Sequence, residues 1–388
     1  MGRDNGCTLN ARPARHFDFA CDSLIENGIG SMEYLIPTEW FAGQDWLILL
    51  VATTVSIVVL GKGADWVVDG ASGLAYYFGM PKVIVGATIV SLGTTAPECA
   101  VSVMGALQGN SGLALGNAVG SVIADTGLIF GIGCLLTTLP ADRFVLNRQG
   151  WVQFGSGVML AVLCYYAYLS QGDQAAITRG MGIVFLCGLG IYLYQSVKWS
   201  RQYSLNTSGG AAGATSPAAE EGTAAEEMHG MAVLCGLMVA GLVLVLLGAH
   251  VLIGSVKELA QQIGVPDVVV SSTIVAFGTS LPELVVGIKA IMKKHPELLV
   301  GNVIGADVLN VLFVIGAAAT AVPLPLVDPT SKIPAIFLYM HLPTMLAILV
   351  LFRLYIFSAC RRGAFRRMFG VPLVLIYLLF VALQYRLG

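Results

Sequence analysis

From Trp46 onward the chain is a succession of apolar runs, each roughly 20 residues long and separated by short polar breaks. A helix of that length crosses a hydrocarbon core about 30 Å thick. In lipid every backbone N–H and C=O must bond within the protein, so only helices and closed barrels span it. A barrel would alternate with period two, and these runs do not. Composition agrees, with 56% hydrophobic and 11% charged residues, against about 25% charged in a soluble domain. The sequence therefore predicts an all-α polytopic membrane protein of about 10 transmembrane helices. The predicted segments are 46–78, 82–108, 112–137, 151–170, 177–197, 230–262, 267–292, 297–322, 333–353 and 368–386.

The segments fall into two sets of five that align without a gap at an offset of 185 residues. Gly63 matches Gly248, Gly79 matches Gly264 and Pro81 matches Pro266. Gly93-Thr-Thr-Ala-Pro-Glu98 matches Gly278-Thr-Ser-Leu-Pro-Glu283, and Gly116, Asn117 and Gly120 match Gly301, Asn302 and Gly305. Self-similarity at one fixed period marks duplicated architecture. Five spans is an odd number, so the second copy enters the membrane with opposite orientation. Such inverted repeats place a substrate site near the midplane on broken helices. The predicted organisation is a polar tail over 1–44, a first repeat over 45–197, a linker over 198–229 and a second repeat over 230–388. The tail lacks the apolar core of a secretory signal. The stretch Asn206 to Met228 is rich in Gly, Ala, Ser and Thr and carries Glu220, Glu221, Glu226 and Glu227, the composition of a flexible linker. Lys and Arg count orientation. With both termini outside, thirteen fall on the inner connections and three on the outer ones.

The repeated stretch is chemically expensive. A carboxylate at membrane depth costs several kcal/mol by the lower estimates and marks a functional site by default. Gly93 weakens its helix, and Pro97 cannot donate to the Gly93 carbonyl. Carbonyls near the break, that of Ser91 among them, then become candidate ligands. Thr94 and Thr95 add hydroxyls, and Glu98 lies on the face of Thr94. The second copy supplies Ala276, Thr279, Ser280 and Glu283. All these atoms are oxygens, as hard cations such as Na⁺ and Ca²⁺ require. A Pro-kinked helix with a merely paired Glu explains one copy; two symmetric copies favour a site. On the next segment of the first half, Asn117, Ser121 and Asp125 share a face at i, i+4, i+8; in the second, Asn302, Ala306 and Asn310 do. Asn117 and Asn302 fit interhelical hydrogen bonding and ion ligation equally well, whereas Asp125 fits the ion site better.

The paired GTxxPE stretches, each followed by a GNxxG segment, resemble the two α-repeats of the cation/Ca²⁺ exchanger superfamily. The closest branch is the sodium/calcium exchangers, prokaryotic in type. The resemblance runs from about residue 46 to the end. It implies that Glu98 and Glu283 are the main Ca²⁺ ligands, with Thr94 and Thr279 beside them. It further implies flanking Na⁺ sites at Thr95, Ser280 and the carbonyls of Ser91 and Ala276, with Ser121, Asp125 and Asn310 lining the cavity. The long first and sixth segments would slide to alternate access. Ala306 stands where the family often has Ser, and Asp307 where Asn is common. Position i+1 points Asp307 off the ligand face, toward a helix contact or a vestibule. The implied activity is Na⁺/Ca²⁺ antiport with the transported ions as the only bound species, the lipid bilayer as surroundings and a single protomer sufficient.

Other function classes fit less well. GNxxE, usual for Ca²⁺/H⁺ exchangers, is absent from the broken helices. Asn310 in place of Asp argues against a K⁺-dependent exchanger. A channel needs one continuous pore, and a hydrolase needs a nucleophile–base pair or a metal-binding His motif that the five His do not supply. Nothing points to nucleic acid, and no Walker A sequence suggests ATP coupling. The eight Cys show no CxxC pair and read as small apolar residues. Asp65 and Asp69 lie four apart on the first segment with Lys62 one turn earlier, a candidate ion pair on a half-helix read as interfacial.

Overall fold

The computed structural model describes residues 38–209, 230–263, 278–327 and 335–387. Its main helices are α1 (Trp46–Tyr77), α2 (Lys82–Thr94), α3 (Ala96–Leu107), α4 (Ser111–Leu136), α5 (Arg143–Gln171), α6 (Arg179–Gly209), α7 (Met231–Gln262), α8 (Leu281–Met292), α9 (Pro296–Ala321), α10 (Phe337–Arg362) and α11 (Gly370–Leu387). Eight of these are long and apolar enough to span a membrane, and the bent pair α2–α3 makes a ninth among the described residues. The seventh predicted segment is described only from Gly278 onward.

Local sequence explains the helix ends. Asp45, Asn110 and Asp142 cap α1, α4 and α5 by accepting from Leu47 N (2.8 Å), Leu113 N (2.9 Å) and Val145 N (2.9 Å). The turn after α3 and the turn after α8 are the same structure 185 residues apart. Gly109 (φ +79°) and Lys294 (φ +62°) both sit in the left-handed region. Asn110 N reaches Gly105 O and His295 N reaches Ala290 O, each at 2.8 Å. The last residues of the predicted N-terminal tail are folded onto the bundle. Thr38–Phe41 is a short helix, Phe41 is buried against Gly254 of α7, and Gly43 N donates to Glu258 Oε1 at 3.4 Å. Helix α6 continues to Gly209, so residues 198–209 of the predicted linker are helical; 210–229 lie outside the described residues.

The inversion of the two halves is visible in α1 and α7, which are equivalent in sequence. Thr53 bonds Ser255 at 3.0 Å, Gly63 lies against Gly241 and Val245, and Gly70 lies against Leu234 and Met238. Rising numbers in one helix meet falling numbers in the other, so equivalent helices run antiparallel. A Cβ on Gly63 would come within 2.8 Å of Gly241 O, and one on Gly70 within 2.9 Å of Leu234 O. Small residues of this kind let membrane helices pack backbone to backbone. Two short ladders repeat the exchange. β1 (Leu139–Pro140) pairs antiparallel with β4 (Ala364–Phe365), and β2 (Ala176–Ile177) pairs antiparallel with β3 (Leu324–Pro325).

The apolar core divides into two bodies. One joins α4, α5, α9 and α10 and includes Phe130 packed edge-on to Phe352 and Phe365. The other joins α1 and α7 to Val85 and Val90 of α2, Val286 and Ala290 of α8, and Leu298 of α9. Large apolar side chains on the outer faces, among them Val58, Tyr166, Leu169 and Leu354, are exposed. An exposed apolar belt of this size fits lipid as its solvent.

Candidate ion-binding site

The break predicted at Gly93–Pro97 is present. The axes of α2 and α3 differ by 43°, with Thr95 between them and Pro97 in the first turn of α3. Pro282 opens α8 in the same way, after Ser280. Each break delivers one carboxylate to the centre: Glu98 is 0% and Glu283 1% exposed. Ser91 departs from expectation. Its carbonyl accepts Thr95 N at 2.8 Å and Thr94 Oγ1 at 3.3 Å, because the helix persists one turn beyond it. Ala276 lies outside the described residues.

The two halves meet by exchanging polar contacts. Thr94 Oγ1 donates to Asn302 Oδ1 at 3.4 Å, and its equivalent Thr279 donates to Asn117 Oδ1 at 3.3 Å. Asn310 Nδ2 donates to Asp125 Oδ2 at 3.4 Å, joining two positions 185 apart across the pseudo-two-fold axis. Thr94 and Thr95 face the Glu283 carboxylate and Ser280 faces Asp125, so these two carboxylates meet hydroxyls of the other half. Gly86, Gly301 and Gly305 make this approach possible, since a Cβ on any of them would strike the backbone of the facing helix. Asn117 also donates to Glu98 O (3.1 Å) and Ser102 Oγ (3.0 Å), so both of its N–H groups are used in interhelical hydrogen bonds.

Many of the converging oxygens make no hydrogen bond among the described residues. They are both oxygens of Glu98 and of Glu283, Asp125 Oδ1, Asn310 Oδ1, Thr95 Oγ1 and Ser280 Oγ, all buried. Ser121 is buried on α4 one turn before Asp125. A buried carboxylate that lacks donors is costly, and a cation is what relieves it. No three His, Cys, Asp or Glu side chains among the described residues converge closely enough to hold a metal alone. A bound cation must therefore draw on hydroxyl, amide and carbonyl oxygens as well as carboxylates.

Three features were not legible, or legible only in part, in the sequence. Asp125 and Asn310 each open a stretch of π-helix, over Asp125–Ile129 and Asn310–Ile315. Such widened turns recur at functional sites. Asp307 is buried and is bonded by Thr126 Oγ1 and by Gln153 Nε2, the latter at 2.5 Å. It is a helix contact, one of the two roles expected of it. Asp65 and Asp69 pair with α8, not with Lys62. Lys289 Nζ lies 3.3 Å from Asp65, and Lys293 Nζ lies 2.6 Å from Asp69. Lys62 instead sits over the Trp66 ring at 6.0 Å. The tertiary fold brings α8 alongside this face of α1, which spacing within one helix cannot reveal.

The family model of the sodium/calcium exchanger protein matches residues 48–198 and 233–386. The chain belongs to the sodium/calcium exchanger family. It is 27% identical over 365 residues to a sodium/calcium exchanger of Methanosarcina acetivorans, covering 88% of this chain and 98% of that one. It is 30% identical over 343 residues to a putative antiporter of Alkalimonas amylolytica, covering 87% and 99%. Solved structures of the sodium-calcium exchanger NCX_Mj share the fold. One soaked with 2.5 mM Na⁺ and 1 mM Sr²⁺ superposes with a TM-score of 0.68 at 24% identity, covering 86% of this chain and 97% of that one. The two matched blocks leave out 199–232, a span that includes the acidic, Gly- and Ala-rich stretch between the halves.

Proposed function

We propose that this chain exchanges Ca²⁺ for Na⁺ across a membrane by alternating access at the site between its two halves. One observation carries the reading: two buried carboxylates, Glu98 and Glu283, sit on matching broken helices, and among the described residues no basic side chain pairs with either. In this reading they are the principal Ca²⁺ ligands, with Thr94 and Thr279 beside them. Thr95, Ser280 and the Ala276 carbonyl hold flanking Na⁺, and Ser121, Asp125 and Asn310 line the cavity. The Ser91 carbonyl, which already accepts from Thr95 N and Thr94 Oγ1, contributes only when the Thr94 hydroxyl turns away from it.

Charge supports the competition. Glu98, Glu283 and Asp125 total −3 when ionised; Ca²⁺ leaves −1 and three Na⁺ leave zero. Three carboxylates in one low-dielectric site repel strongly, so cations are needed to keep them charged together. Competition between ions for one oxygen set, open to one side at a time, couples their fluxes. The α1–α7 pair is the element that slides. The two halves over 45–197 and 230–388 each contribute one helix to that pair and are joined by the intervening linker. Lys and Arg distribution supports both termini outside in a cell membrane.

The test is Na⁺-gradient-driven ⁴⁵Ca²⁺ uptake into proteoliposomes, with K⁺ and pH gradients imposed separately. Glu98→Gln is expected to abolish uptake. Uptake that survives the substitution refutes the site, and uptake that follows only ΔpH refutes the coupling ion.

A further inference from the structure

The asymmetry of the ion site extends beyond Asp125 and Asn310. Asp307 of α9 accepts at Oδ2 from Thr126 Oγ1 of α4 and from Gln153 Nε2 of α5, the latter at 2.5 Å. Gln153 Nε2 also reaches Thr126 Oγ1 at 3.3 Å, so the three side chains close on one another. All three are buried, and Asp307 Oδ1 has no hydrogen-bond partner among the described residues. Among those residues, Asp307 is held through Thr126 and Gln153 only. At the offset of 185 residues Asp307 matches Val122 and Thr126 matches Val311. The duplication therefore gives this acid–hydroxyl contact no counterpart. It stands beside Asp125, the acid of the asymmetric pair.

What these side chains hold is the turn that carries Asp125. Thr126 is the next residue, inside the π-helical stretch Asp125–Ile129. A π turn is a rare geometry that the α-helical bonding on either side does not impose. Asp307 lies one turn before Asn310 on α9, and Asn310 Nδ2 donates to Asp125 Oδ2 at 3.4 Å. Two rungs thus join α4 to α9: Asp125 with Asn310, and Thr126 with Asp307. The first is long for an N–H···O bond. The second is short and is braced from α5 by Gln153. The tighter rung fixes the rotation of the turn, and with it the direction of the Asp125 carboxylate. Asp125 Oδ1 is left without a hydrogen bond among the described residues.

We propose, on the exchange reading given above, that Thr126, Asp307 and Gln153 are positioning residues for Asp125 and set the Na⁺ affinity of the site rather than its Ca²⁺ affinity. Glu98 and Glu283 together balance one Ca²⁺, so the third carboxylate is needed for the Na⁺ load alone. Thr126, Asp307 and Gln153 sit on α4, α9 and α5, and their bonds reach neither Glu98 nor Glu283. Loosening them turns Asp125 away from its place and leaves the Ca²⁺ ligands where they are.

The full chain, purified in detergent, is equilibrated with ⁴⁵Ca²⁺ at each variant's own dissociation constant, and Na⁺ then replaces choline at constant ionic strength. Thr126→Val keeps the shape and loses the hydroxyl. It is expected to raise the Na⁺ needed for half-displacement by about fivefold, the order of one lost buried hydrogen bond. Its Ca²⁺ dissociation constant in choline alone is expected to stay within about twofold of the unmodified chain. Thr126→Ser returns the hydroxyl and is expected to bring the Na⁺ requirement back to within about twofold. Tyr165→Phe, which removes a 2.7 Å bond to the Leu338 carbonyl elsewhere in the same apolar body, is expected to leave it unchanged. Should Thr126→Val fail to fold, Gln153→Met removes the brace instead and is expected to raise the Na⁺ requirement at least about twofold. An unchanged Na⁺ requirement in the variant that folds overturns the proposal. So does a Ca²⁺ dissociation constant that rises as much, a Thr126→Ser variant as impaired as Thr126→Val, or an equal rise in Tyr165→Phe. Bound ⁴⁵Ca²⁺ that Na⁺ fails to displace from the unmodified chain overturns the exchange reading, and this proposal with it.

Discussion

At the scale of single residues, the costs are concentrated where carboxylates are buried. Glu98 and Glu283 were legible because a carboxylate in an apolar run is improbable without a purpose. Asp307 was legible as a buried acid, but its partners were not: Thr126 and Gln153 lie 181 and 154 residues away in sequence. Removing one donor from a buried carboxylate costs more than the bond itself contributed. Gln153→Leu is therefore expected to destabilise the protein by about 2 kcal/mol, read as a fall in the thermal unfolding midpoint in detergent. The Lys294 turn carries a different cost. Its equivalent is Gly109, and a non-Gly residue in the left-handed region costs about 1 kcal/mol. Lys294→Gly is expected to raise the midpoint by roughly 2 °C, following the usual entropy of unfolding for a chain of this size.

At the scale of elements, the helices followed from the apolar runs, and their ends from Asp45, Asn110, Asp142 and the Pro residues. What joins the elements did not follow. The ion pairs between α1 and α8 tether the sliding pair to the fixed body at the Lys-rich end. Asp65 and Lys293 are about a quarter exposed in their side chains, so these pairs contribute less than about 1 kcal/mol to stability and are screened by salt. Their effect belongs to the rate of movement. Lys293→Met is expected to leave the unfolding midpoint within about 2 °C, the range left by such exposed pairs. Choline chloride is expected to speed initial ⁴⁵Ca²⁺ uptake more in the unmodified protein than in the variant, which keeps only the Lys289–Asp65 pair. An identical salt response in both would show that the pair is no tether.

At the scale of the whole molecule, duplication sets the plan and one substitution breaks it. The Asp125–Asn310 bond joins equivalent positions at 3.4 Å across the axis, so the acid and amide should be exchangeable. Asp125→Asn alone is expected to lower Na⁺-driven Ca²⁺ uptake at least tenfold, about 1.4 kcal/mol or more in the rate-limiting barrier. Adding Asn310→Asp is expected to restore at least half of the original rate. A double variant as inactive as the single one would show that the axis does not relate these positions functionally.

The sequence by itself determined that the chain spans a membrane as helices, that it is built twice, that the copies are inverted, and that each copy brings one carboxylate to a broken helix. These follow from length, periodicity and the cost of charge in lipid, which are local or additive along the chain. Only the tertiary structure decided which oxygens meet. Thr94 finds Asn302 and Thr279 finds Asn117 because glycines let facing backbones touch. The widened turns place Asp125 against Asn310, and Asp65 finds Lys289 and Lys293 rather than Lys62. Such contacts depend on how helices far apart in sequence pack, and no spacing within one helix encodes them.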